Sequence, residues 1–166
     1  MKEIIFLLAV ATVALGLQST SVLFLLPAAY KPDLILILVV WTGLRTSYTT
    51  GVGFAFVAGL CVDVLSGSPT GLFALIYCLI FVTSGYVDAT IPIDDPVGWM
   101  TIVFLATLFS ACIVLIMRWL AGPVGLGPYT VAWILLKSLL TGMAGVAVIP
   151  GLDRVWAGYA RIIGEQ

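Results

Sequence analysis

The stretch Asp63-Val-Leu-Ser-Gly-Ser-Pro-Thr-Gly71 separates two apolar runs, residues 51–62 and 72–82. It reads as a tight corner between two buried helices. Gly67 can adopt the left-handed backbone that ends one helix, Ser68 can cap the next, and Pro69 suits a first helical position, where no amide donor is needed. Asp63 stands out, because a carboxylate one turn before the end of an apolar segment is costly to desolvate without a partner or water.

Working outward, composition settles the environment. Of 166 residues, 62% are hydrophobic and 9% charged, which leaves too little polar surface to coat a water-soluble globule and reads as an integral membrane protein. The apolar segments lack the period-two alternation of a lipid-facing barrel, so the expectation is an all-α membrane protein. A net charge of −1 leaves no basic footprint for nucleic acid. With no histidine in the chain, the commonest general base and metal ligand is missing. Cys61, Cys78 and Cys112 sit singly in apolar runs and read as small buried hydrophobes. No cofactor or catalytic group is expected. The glycine-rich Gly122-Pro-Val-Gly-Leu-Gly127 has no P-loop lysine, and Ser66 and Ser68 have no activating base. Adjacent Asp94 and Asp95 read as a helix cap rather than an acid/base pair.

The prolines act as punctuation. Pro32, Pro69, Pro96 and Pro128 open apolar runs, while Pro27 and Pro150 close them. Six helices follow, at 2–26, 32–44, 49–65, 69–87, 96–120 and 128–149. The first is read as a retained span rather than a cleaved signal, because its apolar stretch continues past Gln18. The second and third are short: at about 1.5 Å per residue, the thirteen residues of the second reach about 20 Å, less than a ~30 Å hydrocarbon core. Full crossings by the second and third are expected, with a re-entrant pair as the alternative. Trp and Tyr, Trp41 among them, lie at or near predicted segment ends, the headgroup level they prefer, with Tyr77 alone mid-segment. Lys2, Arg45, Arg154 and Arg161 fall on one side and Lys31 and Arg118 on the other, so both termini are expected in the cytoplasm. Residues 1–150 then form the transmembrane domain. Residues 151–166 form a short tail whose positions Val155, Tyr159, Ile162 and Ile163 can share one face along the inner leaflet.

Two polar or small-residue patterns stand out. Gly51, Ala55, Gly59 and Asp63 recur at four-residue spacing, a ridge that lets another backbone approach closely. Gly142 and Gly145 repeat the theme in the last segment. Either packing within the bundle or a partner's helix satisfies such ridges. Lys137, about 13 Å into the last segment, is the deepest charge. Asp63 and Lys137 are expected to pair or to share a polar cavity, and Arg118 is a candidate counter-ion for Asp33.

Lys31-Pro-Asp-Leu-Ile-Leu-Ile-Leu-Val-Val40, followed by Gly59-Leu-Cys-Val-Asp-Val-Leu-Ser-Gly-Ser-Pro-Thr-Gly-Leu72, resembles the rod shape-determining MreD family. The resemblance carries Pro32, Asp33, Gly59, Asp63, Ser66, Gly67, Pro69 and Gly71 as motif positions. It implies a non-enzymatic protein of the bacterial inner membrane that serves the elongation machinery for peptidoglycan. The implied partners are an MreC-like bitopic protein and, through it, MreB filaments, RodA and its transpeptidase, besides membrane lipid. A fold like the substrate-binding S-components of energy-coupling-factor transporters is implied as well. A different class of function is a vitamin-type carrier subunit, with Asp63, Lys137 and Tyr77 lining a pocket.

Overall fold

A computed structural model describes residues 2–19, 32–67, 69–90, 95–121 and 129–163. Among them are six helices and no strand: α1 (Lys2–Ser19), α2 (Leu34–Arg45), α3 (Tyr48–Ser66), α4 (Leu72–Thr90), α5 (Pro96–Ala121) and α6 (Thr130–Ile163). By length and composition, α3 to α6 are each able to cross a membrane, whereas α1 and α2 carry shorter apolar stretches.

The shortest helix forms the core. Helix α2 is apolar on every side, the pattern of a helix surrounded by protein, and every residue from Ile35 to Thr42 is buried. It packs against all five other helices. Its twelve residues rise only about 18 Å, but a helix walled off from lipid need not match the bilayer's thickness. The expected shortfall therefore belongs to α2 alone, since α3 has 19 residues and reaches about 28 Å.

Small residues set the packing distances. A Cβ on Gly59 would lie 2.3 Å from the Ala74 Cα, and one on Gly51 would lie 2.1 Å from the Phe81 ring, so α3 and α4 form a close antiparallel hairpin. Helices α5 and α6 meet in the same manner, with a Cβ on Gly142 falling 3.1 Å from the Met100 carbonyl and one on Gly145 falling 3.0 Å from Val103. Gly43, passed over in the sequence, brings α2 onto α4, where its Cβ would lie 2.9 Å from the Phe81 carbonyl.

Three expectations need correction. Helix α4 begins at Leu72, so Pro69 is not its first residue; the Pro69 carbonyl instead accepts the Leu72 amide at 3.2 Å. Pro150 does not close the last segment, because α6 runs through it to Ile163. A proline there lacks the amide for one helical hydrogen bond, but the apolar contacts of the following turns hold the helix against the core. Leu152, Trp156 and Tyr159 pack inward, while Val155 is 58% exposed. Cys61 and Cys112 point outward rather than into the core. Ser68 and Asp94 lie outside the described residues. Asp95 caps α5, accepting the Gly98 amide at 3.1 Å.

Candidate functional site

The corner after α3 is built around the Asp63 carboxylate. Gly67 ends α3 in the left-handed conformation at φ 65°, its amide donating to the Asp63 carbonyl. Ser66 adds a long contact of 3.5 Å to the same carbonyl. The chain then turns through Gly71, at φ 97°, whose carbonyl accepts the Leu75 amide and so stands at the cap position of α4. A glycine cap has no side chain to satisfy the first amides of its helix, which lack intrahelical partners. Asp63 supplies the missing acceptor from the preceding helix: the amides of Gly71 (2.8 Å) and Phe73 (2.9 Å) donate to it, and Ala74 approaches at 3.5 Å. A carboxylate at the positive end of a helix with two short amide contacts is stabilised without a cation. Asp63 is 1% exposed.

Asp33 does the same for α2. Its Oδ1 accepts the Leu36 amide at 3.1 Å, and its own amide reaches the Thr141 hydroxyl at 3.4 Å. Thr141 donates in turn to the Lys137 carbonyl at 2.8 Å, so the start of α2 is tied to α6. Half-buried Pro32 precedes it. Tyr77 lies within electrostatic reach of both capping carboxylates. Its buried hydroxyl has no hydrogen-bond partner among the described residues.

The expected pairing of Asp63 with Lys137 does not form; no ion pair joins them among the described residues. Asp63 faces backbone amides, whereas Lys137 lines a cavity of ≈ 530 Å³ together with Asp33, Arg118, Thr107, Ser110 and Ser138. Arg118 and Asp33 share that cavity without an ion pair. Asp63 and Tyr77 do not line it, so the trio expected of a carrier pocket is not assembled.

At the opposite end of α2 the structure joins residues that the sequence did not single out. Trp41, fully buried, donates through Nε1 to Asp153 at 2.8 Å, and Arg45 lies 3.6 Å from the same carboxylate. A buried indole needs such an acceptor, which was the available signal, but Trp41 had been assigned to the headgroup level. The rings of Phe6 and Trp156 pack against it, with Tyr159 against both of those, and Ser47 donates to Glu3 at 3.1 Å. The start of α1 and the last turns of α6 therefore share one end of the bundle.

The ridge residues Gly51, Ala55, Gly59, Gly142 and Gly145 are all buried within the bundle. Among the described residues no group of His, Cys, Asp or Glu is placed to hold a metal ion. No curated protein and no solved structure matches the chain. A family model described as rod shape-determining protein MreD matches residues 2–146, a span that includes both capping carboxylates, the α3–α4 corner and the small-residue contacts. With four helices long and apolar enough to cross a bilayer, the chain is a multi-pass membrane protein that belongs to the MreD family of rod shape-determining proteins.

Proposed function

We propose that this protein is a non-enzymatic membrane scaffold of the bacterial cell-elongation machinery. It holds the transmembrane helix of an MreC-like bitopic partner and through it supports MreB filaments, RodA with its transpeptidase, and peptidoglycan synthesis. The family carries this reading. Its site is the inner membrane, in an S-component-like arrangement with both termini in the cytoplasm, the side favoured by Lys2, Arg45, Arg154 and Arg161.

One groove on the bundle supports a seat for a partner helix. The small-residue ridges are consumed by contacts inside the bundle, so they are not available to another chain. An open apolar groove of ≈ 460 Å³ lies between α1 and α3, lined by Leu8, Ala11, Gly53, Val57 and Cys61 among others. A Cβ on Gly53 would meet nothing within 4 Å, so bulk there is free to block a visitor without disturbing the fold.

Affinity purification of the tagged chain from its native membrane tests this. A stoichiometric single-span, coiled-coil protein is expected to accompany the wild type and to be lost from Gly53→Leu, whose melting temperature stays near wild type. Gly59→Leu, by contrast, should lose the partner only by unfolding. Recovery of an ATPase module or a retained vitamin-like ligand in place of that partner would favour the carrier reading. Unchanged capture by a folded Gly53→Leu would remove the groove.

A further inference from the structure

The cavity where α5 and α6 meet the start of α2 brings Lys137 and Arg118 into one lining. Lys137 stands seven residues after the start of α6, and Arg118 three residues before the end of α5, so both lie within about 10 Å of one end of the bundle. In a helix that crosses a bilayer, such a depth falls near the boundary between headgroups and acyl chains. Neither cation has an ion pair among the described residues. Asp33 faces the same space, but it already accepts the Leu36 amide as the cap of α2, and two positive charges against one negative leave a net positive cavity. A lysine partly withdrawn from water in an apolar bundle is costly unless an anion joins it.

The remaining polar groups are consistent with an incoming anion. Thr107 and Ser138 spend their protons on carbonyls of their own helices, each at 2.8 Å. Buried Ser110 makes no such bond among the described residues and keeps its hydroxyl proton to donate. Ser66 and Thr130 also line the cavity, and the rest of the lining is mostly apolar, Leu36, Val114, Leu115 and Ile134 included. A cationic floor with greasy walls, at headgroup depth, matches an anion carried on a hydrophobic tail.

We propose that this cavity is a binding site for a phosphate group, with Lys137 and Arg118 as its cationic ligands and Ser110 as a neutral donor. The phosphate is that of a phospholipid-like amphiphile whose chains run along the apolar wall. A soluble phosphate would satisfy the same donors without using that wall.

Native mass spectrometry of the full chain in neutral detergent, titrated with dioleoyl phosphatidylglycerol, reads the site directly. Wild type is expected to retain the lipid. Lys137→Ala and Arg118→Ala should each hold it about tenfold more weakly, as losing one charge-assisted contact implies, while Lys137→Arg restores most of the retention. The melting temperature without lipid controls for folding, and Ser110→Ala supplies a milder variant that keeps both charges. Inorganic phosphate forms the second arm: protection from heating by phosphate alone, lost in the same variants, would assign the site to a soluble phosphate and withdraw the lipid. Equal retention of dioleoylglycerol, which lacks the phosphate, or retention unchanged by all three removals, would overturn the proposal.

Discussion

At the scale of single residues, the two carboxylates that attract notice in the sequence prove to be caps. A buried carboxylate can be satisfied by a cation or by backbone amides, and the α3–α4 corner takes the second course because Gly71 at the start of α4 has no side chain of its own. Two outcomes follow. Asp63→Ala should cost about 2–3 kcal/mol, the range of a charge-assisted cap, and Asp63→Asn about 1 kcal/mol, since the amide oxygen still accepts. Paired with Lys137→Ala in a double-mutant cycle of detergent unfolding, Asp63→Ala should show coupling below about 0.5 kcal/mol, because the two side chains share no contact; a larger value would restore the ion pair. Tyr77 provides the opposite sign. Its hydroxyl is buried without a partner, a desolvation cost that phenylalanine avoids, so Tyr77→Phe should leave stability unchanged or raise it by about 1 kcal/mol. A clear loss in the same unfolding assay would mean that the hydroxyl is engaged.

At the scale of elements, much of the chain was legible and the reasons are local. Prolines and glycines at segment ends act through their own backbones, so the C-terminal end of α3 at Gly67 and the start of α5 at Pro96 follow from residues within one turn. Ridge spacing likewise predicted close approach along α3. What could not be read is which surface meets which. Gly59 sits at four-residue spacing whether it faces Ala74 or a foreign helix, and only the paired geometry of α3 and α4 decides. The same limit explains Pro150: proline ends a helix in isolation, yet the inward contacts of Leu152, Trp156 and Tyr159 carry α6 past it. Trp41 was misread for a related reason. Its position near a segment end is compatible with a headgroup anchor, but a helix surrounded on all sides has no headgroups around it. Half-buried Lys137 lines a cavity without the partner expected for it, because spacing along two distant segments does not fix their rotation.

At the scale of the whole molecule, α2 is held at both ends by α6, and the two helices run in the same direction. Asp33 meets Thr141 at one end and Trp41 meets Asp153 at the other. Residues 151–163 are thus part of the bundle's framework, closing the end at which α1 begins. Asp153→Ala leaves the Trp41 indole buried without an acceptor, at a cost of about 1–3 kcal/mol, and removes one partner of half-exposed Arg45, worth less than about 1 kcal/mol. Because the α3–α4 hairpin makes no use of Asp153, the loss should be local. Hydrogen exchange is expected to quicken along residues 151–161 and at the last turn of α2, with Asp63 and its capped amides protected as before. Trp41→Phe in the Asp153→Ala background should recover part of the melting temperature by removing the orphaned donor. Uniform quickening across all six helices would instead mean that the bundle opens as one cooperative unit, with no separate closure at this end.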